Sequence, residues 1–246
     1  MTEKRCFGKL PARHNLGTLA LSNYTKMSAL AFPPVKAWER PIELGMLGND
    51  EVGDCTVAGF YHMLMTQRSV AQAGNPLIVT TPQALADYSA ITGYDPTTGS
   101  NDNGALCADV LTYFQNKDMI LGKASVDFHN TDMVKAAIYT FGCLYTGFTV
   151  PQSTVNELQH GIDPTFNFIP NDTRTNEGHC VNFVGYGRSG AAFDSWGKVY
   201  HMGWDYLLQW FDEAYVVVTP DWIKASGKSP SGLDLTGLVA DMTAQG

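Results

Sequence analysis

The chain has 246 residues, of which 44% are hydrophobic and 16% are charged, a composition typical of a globular protein and not of a disordered or fibrous one. The formal net charge is −8 and Lys and Arg form no cluster, so a nucleic-acid partner is not expected. The longest apolar run, at 55–65, is too short to cross a bilayer, so no membrane partner is expected either. The first residues lack the apolar stretch of a secretory signal, and the five cysteines are therefore expected to be free thiols in a cytoplasmic protein.

The first half of the chain is predicted to be helical. A helix is expected from Cys55 to about residue 73, because Asp54 is a favourable N-cap and Gly74-Asn75-Pro76 ends the pattern. Its first eleven residues are apolar on nearly every side, which predicts a helix buried between two layers. The pattern predicts further helices at 81–91, 105–116 and 131–141.

The period of the pattern changes after residue 142. Short segments rich in β-branched and aromatic residues predict strands at 143–150, 180–186, 198–202 and 213–218. Helices followed by strands indicate an α+β fold rather than alternating βαβ units.

Cys55 is a candidate nucleophile, although a cysteine in an apolar helix is more often an inert core residue. It stands in the first turn of its helix, where free N–H groups and the helix dipole favour a thiolate. His179 enters a predicted strand, and a hairpin around 188–190 brings Asp194 close to it. A histidine beside a carboxylate can also be purely structural, so a third group is needed, and Cys55 is the obvious candidate.

Three segments resemble the motifs of papain-like cysteine peptidases. Asn49-Asp-Glu-Val-Gly-Asp-Cys55 is similar to the segment around the family's nucleophile, with an amide residue six positions before the cysteine. Gly178-His-Cys-Val, followed by Val-Gly-Tyr-Gly, is similar to the histidine strand, and Asp194-Ser-Trp-Gly is similar to Asn-Ser-Trp-Gly. The similarity spans roughly 32–218 and keeps the family's order of motifs.

The resemblance implies a two-lobed α+β fold. A helical lobe, about 49–141, would contain the buried nucleophile helix, and an antiparallel, β-barrel-like lobe would follow at about 142–219. Together these lobes would form one peptidase domain, 49–219, between an N-terminal arm (1–48) and a C-terminal extension (220–246). Because 48 residues are too few for the family's usual inhibitory prosegment, we expect an enzyme made in its active form.

The resemblance also implies roles for individual residues. Cys55 would attack the substrate, and His179 would protonate the leaving amine and later activate water. Asp194 would orient the imidazole, and the Asn49 amide would form the oxyanion hole with the Cys55 N–H. These roles predict a thiol protease that cleaves a peptide or protein substrate through an acyl-enzyme, with no cofactor and no metal.

Three further residues would bind substrate. Gly104 belongs to a half-preserved glycine pair that holds extended peptides in the family. Cys180 stands at a position that lines the main specificity pocket in the family, although simple packing would explain it equally well. Trp196 would cover the histidine, and plain core packing predicts the same position.

Departures from the family pattern leave other functions open. Asp194 replaces asparagine, and Asn49 is one methylene shorter than the usual glutamine. One alternative is a weak or inactive papain-fold binding component of a larger assembly, such as a bacteriophage particle, which would be virion-associated. Another is a transamidase or amidase, which an aspartate in the triad permits.

Overall fold

The structure is a computed structural model that describes residues 4–13, 18–24, 31–38, 43–72, 74–223, 227–230, 232 and 234–244. Its helices are α1 (Cys55–Ala71), α2 (Thr81–Thr92), α3 (Cys107–Asn116), α4 (Thr131–Phe141), α5 (Gln152–Gln159), α6 (Trp204–Trp210) and α7 (Thr236–Ala244). Its strands are β1 (Lys36–Ala37), β2 (Gly122–Ser125), β3 (Leu144–Pro151), β4 (Arg174–Tyr186), β5 (Gly190–Ser195), β6 (Lys198–Gly203) and β7 (Phe211–Val218).

The four predicted helices are confirmed as α1 to α4, with small differences at their ends. Every residue from Cys55 to Gln67 is buried, as the apolar character on all sides of this segment predicts. Asp54 precedes α1 without a side-chain capping bond, and α2 is capped by Thr80, whose side chain accepts from the Gln83 N–H. No helix in the described part of the chain is both long and apolar enough to span a membrane.

The strands form one antiparallel sheet in the order β2-β7-β3-β4-β5-β6, and the short β1 pairs with β4. The four predicted strands are confirmed as β3, β4, β6 and β7. The predicted hairpin is formed by β4 and β5, with the Gly187 N–H bonded to the Gly190 carbonyl.

Both faces of the central strands are buried. Tyr145 and Val217 pack with α1 on one face, whereas Leu144, Phe148 and Val216 belong to a second core on the other face. Because successive residues of a strand point to opposite faces, two buried faces require apolar residues at nearly every position. This explains why apolar residues stand at consecutive positions in these strands, as at 216–218 of β7.

Polar side chains of the sheet bind the backbone of α1. The Tyr145 hydroxyl donates to the Thr56 carbonyl at 2.8 Å, and the Asn182 amide donates to the Gly59 carbonyl. Gly59 also lets the two elements approach, because a Cβ there would lie 3.3 Å from the Cys180 sulfur. These contacts hold the first turns of α1 directly beside β4, where the candidate site lies.

The segments on both sides of the predicted domain pack onto its core. Leu21 and Trp38 come from the N-terminal segment, and Leu238 and Met242 come from α7. All four side chains are buried in the cluster that includes β3, β4 and β7.

Candidate active site

Cys55 is the first residue of α1 and is only 2% exposed. Burial raises the pKa of its thiol well above the usual value, and the nearby Cys180 thiol adds to the rise. The nearby backbone N–H groups of Cys180 and Gly8 lower the pKa of Cys55, but their effect is weaker than that of burial. The sulfur is therefore a neutral thiol in this structure, because burial outweighs the thiolate-favouring helix N-terminus.

His179 lies on β4 and is 1% exposed. Its Nε2 is 2.7 Å from the Ser195 hydroxyl oxygen, and the Trp196 ring stacks on the imidazole with the centroids 4.3 Å apart. Burial, with a smaller contribution from His62, lowers the pKa of His179 to about 3. Its Nδ1 has no hydrogen-bond partner among the described residues. Only Nε2 of the neutral ring is therefore hydrogen-bonded.

Asp194 lies on the other face of the sheet from His179. Its Oδ1 accepts from the Asn182 amide at 3.1 Å and lies 4.0 Å from Nδ1 of His62. Asn182 is the cross-strand partner of Asp194, and paired residues share a face. His179, three positions earlier on β4, points to the opposite face, where Ser195 meets it. Strand alternation is the sequence signal that could have identified Ser195.

Replacing Asp194 by asparagine is expected to stabilise the protein more at pH 8 than at pH 4. Burial raises the pKa of Asp194 from its usual 3.8 to about 7, although Asn182 and Thr66 lower it in part. Between these pH values the folded state keeps a proton that the unfolded state releases, so stability falls as pH rises. One pKa unit is worth about 1.4 kcal/mol, and asparagine does not titrate.

Thermal and urea unfolding of both proteins from pH 4 to pH 8 would measure this effect. The difference in the free energy of unfolding between Asp194→Asn and the parent should increase by roughly a few kcal/mol from pH 4 to pH 7 and then stay constant. A gain that does not change with pH would contradict the raised pKa of Asp194.

Asn49 is buried in the loop before α1, and its side chain is engaged there. Its Nδ2 donates to the Val52 carbonyl at 3.0 Å. Burial raises the pKa of Asp54 well above its usual value, and the neighbouring Asn49 side chain lowers it in part. The Asn49 backbone carbonyl accepts from the Cys6 N–H at 2.9 Å. In this arrangement the Asn49 side-chain amide is hydrogen-bonded within its own loop.

A segment of the N-terminal region, residues 5–10, runs through the cleft between the two lobes; we call it the arm segment. The N–H groups of Gly8 and Lys9 donate to the Gly178 carbonyl on β4, at 3.1 and 3.0 Å. On the opposite side, the Ala105 N–H donates to the Gly8 carbonyl at 2.8 Å, and Leu10 donates to Ala105 at 3.0 Å. An extended peptide is thus hydrogen-bonded to both walls of the cleft.

Glycines of the cleft allow this close approach. A Cβ at Gly53 would lie 2.7 Å from the Phe7 carbonyl oxygen, and one at Gly104 or Gly178 would overlap backbone atoms of Gly8 or Lys9. Gly104 also adopts a positive φ of 75°, which favours glycine. The cleft is therefore shaped to admit a peptide backbone.

Side chains of the arm segment cover the histidine. The Phe7 ring lies 5.7 Å from the His179 ring and 6.1 Å from the Trp196 ring. The Arg5 guanidinium lies 5.3 Å from the Trp196 ring and is paired with Asp163. A short extended segment is therefore enough to fill the cleft and to cover His179.

The sulfur atoms near the cleft are all reduced. All five cysteines of the chain are unpaired. Cys180 follows His179 on β4, and burial together with the nearby Cys180 thiol raises the pKa of Cys107 at the start of α3. The described residues contain no cluster of three or more His, Cys, Asp and Glu side chains suited to a metal ion.

The fold resembles those of known cysteine proteases. Xylellain, a cysteine protease from Xylella fastidiosa, superposes with a TM-score of 0.67 at 18% identity, over 89% of this chain and 98% of that chain. Digestive procathepsin L 3 of the Tenebrio molitor larval midgut superposes with a TM-score of 0.56 at 9% identity, over 88% and 76%. No family profile and no curated protein matches the sequence.

The chain has the papain-like fold. Helices α1 to α3 form one lobe, and the antiparallel sheet forms the other. Within its lobe, α1 is the helix that packs against the sheet, so it is buried where the two lobes meet. The α+β architecture expected from the three sequence motifs is confirmed.

Proposed function

We propose that the protein is a cysteine peptidase whose site is covered by its own arm segment. One observation carries the proposal: Cys55 and His179 contact adjacent residues of the same bound peptide. The backbone N–H of Gly8 lies close enough to the Cys55 sulfur to lower the pKa of its thiol in part, and the neighbouring Phe7 ring packs against His179. A peptide in this cleft thus lies beside a candidate nucleophile and a candidate base, and acyl transfer requires these two groups to act on the same bond.

Removal of the arm segment would let water into the cleft. Water relieves the burial that raises the pKa of Cys55 and lowers the pKa of His179. The thiol proton can then move to the free Nδ1 of His179, which leaves a thiolate and an imidazolium. The thiolate attacks the substrate carbonyl, His179 protonates the leaving amine, and water attacks the acyl-enzyme with His179 as the base.

The oxyanion of this reaction needs hydrogen-bond donors. The Cys55 backbone N–H is one candidate, and Asn49 is the second once its amide turns away from the Val52 carbonyl. Trp196 stacks on His179 and excludes water from its hydrogen bond with Ser195, which strengthens that bond.

Ser195 rather than Asp194 is the better-supported positioning residue for the imidazole. Ser195→Ala is expected to lower kcat about tenfold with little change in KM, because it removes the partner of His179 Nε2. Ser195→Thr keeps the hydroxyl and should restore most of the activity. Asp194→Asn should leave kcat within about threefold of the parent.

These rates would be measured on a chain whose arm segment is displaced, with a pH–rate profile for each variant. Loss of the imidazole's partner should also shift the profile for kcat, which a purely structural change would not do. If Asp194→Asn lowers kcat more than Ser195→Ala does, the triad proposed from the sequence is the correct one.

Both polar backbone groups of Gly8 are held by the walls of the cleft. Its N–H donates to the Gly178 carbonyl on β4, and its carbonyl accepts from the Ala105 N–H on the other side. The arm segment is thus bound as an extended peptide beside Cys55.

The same contacts also favour a second function, that of a papain-fold binding component without catalysis. The filled cleft, the neutral Cys55 thiol and the engaged Asn49 amide support it. A role in a bacteriophage particle remains a prediction from the sequence.

The decisive experiment is a peptide-hydrolysis assay on the full chain with its arm segment displaced by Gly8→Val, with and without Cys55→Ala. Hydrolysis that depends on Cys55 supports the peptidase. An arm-displaced chain that binds peptides but cleaves none supports the binding component.

A further inference from the structure

The side chain of Lys9 fills an acidic pocket beside the cleft. Its Nζ lies 2.8 Å from Oδ1 of Asp212 and 3.1 Å from Oε1 of Glu213, and it also donates to the Leu10 carbonyl at 3.1 Å. The Lys9 side chain is 1% exposed and that of Glu213 is 4% exposed. The buried ammonium group of Lys9 is thus paired with two carboxylates of β7.

The floor of this pocket is formed by three neighbouring strands. Gly147 on β3 pairs with Glu213 on β7 and with Cys180 on β4, so the three residues stand in a row on one face. A Cβ at Gly147 would overlap the side chain of Lys9 and lie 2.9 Å from Glu213 Oε1. The glycine therefore leaves room for a long unbranched side chain to reach the carboxylates.

The charges of the pocket require a cation. Burial disfavours the charged form of Lys9, but Cys107, Glu213 and Asp212 outweigh it and raise the pKa of Lys9 above its usual value. The Tyr215 hydroxyl donates to Glu213 at 3.1 Å and is neutral. Once the arm segment leaves, two adjacent carboxylates remain without the ammonium group, which is unfavourable for a buried acid.

We propose that this pocket, formed by Glu213, Asp212 and Gly147, selects a lysine side chain in the peptide that replaces the arm segment. The inference rests on the proposed function and names its substrate class, peptides with a basic residue. Lys9 follows Gly8 in the cleft, and the Gly8 backbone is near enough to Cys55 to influence the pKa of its thiol. The pocket would therefore bind a side chain close to the reacting bond.

The test uses the full chain with Gly8→Val and Lys9→Ser, so that the arm segment neither fits the cleft nor fills the pocket. Two labelled peptides carry the sequence 5–13 with serine at the Cys6 position, one with lysine and one with methionine at the Lys9 position. Fluorescence anisotropy then measures binding separately from cleavage. The lysine peptide is expected to bind about ten- to a hundredfold more tightly, as for hydrogen bonds between charged groups.

Matched substitutions assign the preference to the pocket. Glu213→Gln should reduce the difference between the two peptides to within about threefold, whereas Glu177→Gln, an exposed acid on the same strand as His179, should leave it unchanged. Asp212→Asn, whose side chain is 25% exposed, tests the same pocket with less risk to folding and should remove part of the preference. Equal binding of both peptides, or a preference that survives both pocket variants, would overturn the proposal.

Cleavage of an unfolded protein by the same variant, with the cut sites sequenced by mass spectrometry, separates this proposal from the proposed function. A lysine preference in binding without any cleavage supports the pocket and contradicts the peptidase. Cleavage without lysine near the cut sites, and without a preference in binding, supports the peptidase and overturns the pocket.

Discussion

Replacing Gly8 by valine is expected to raise the rate at which iodoacetamide alkylates Cys55 by about ten- to a hundredfold. In the folded chain the sulfur is covered, and a side chain at Gly8 would overlap the backbone of Gly53. Overpacking of this kind costs about 1–3 kcal/mol. The cost falls on the closed state alone, so the population with an open cleft increases by the corresponding factor. Peptide mapping after a short exposure at pH 7 would give the rate at Cys55.

Gly187→Val is the matched control. Gly187 lies in the β4–β5 turn with no atom within 4 Å of an added Cβ and no positive φ, so valine is tolerated there and the Cys55 rate should not change. Equal rates in Gly8→Val and in the parent would show that the arm segment does not control access to the sulfur. Faster labelling at Cys180 instead of Cys55 would place the reactive thiol elsewhere.

Cys55→Ala in the arm-displaced chain is expected to lower peptide hydrolysis at least about 1,000-fold, to the uncatalysed background. The reason is chemical: alanine cannot form the acyl-enzyme. The substitution removes one buried sulfur atom at the first residue of α1. The midpoint temperature of thermal unfolding should therefore change little, whereas the activity is lost. Initial rates with a fluorogenic peptide, together with circular dichroism of both proteins, would measure the two effects.

Cys180→Ala is the matched thiol control. Cys180 is also buried and also lies beside the cleft, but it has no role in the proposed chemistry. Its replacement should keep hydrolysis within about tenfold, with the change mainly in KM if the residue lines the substrate pocket. If Cys180→Ala abolishes hydrolysis and Cys55→Ala does not, the proposed nucleophile is wrong.

Most of the fold was predictable from local patterns. The apolar run after Asp54 predicts the buried helix α1, and the change of period after residue 142 predicts the sheet. The motifs at Cys55 and His179 predict the papain-like fold, which the structure confirms. These features are encoded within short segments, because helix and strand periodicity depend on neighbouring residues.

The surroundings of the site were less predictable. The hairpin between β4 and β5 was expected, yet its register decides that Ser195, not Asp194, meets His179. If the register of β5 shifted by one residue, Asp194 would lie on the face of His179 and Ser195 on the opposite face. The turn alone predicts that the strands are close, but it does not predict which side chain faces the imidazole.

The sequence by itself determined the order of helices and strands, the fold class and the positions of a candidate thiol and imidazole on facing lobes. Only the tertiary structure decided that the arm segment covers Cys55 and that Lys9 meets Asp212 and Glu213. The Lys9 contacts join residues 203 and 204 positions apart, and the contacts of Gly8 with Ala105 and Gly178 join residues 97 and 170 positions apart. No local sequence pattern can predict contacts over such separations. They arise because the folded lobes form a cleft that admits one extended peptide and places the carboxylates of Asp212 and Glu213 at its side.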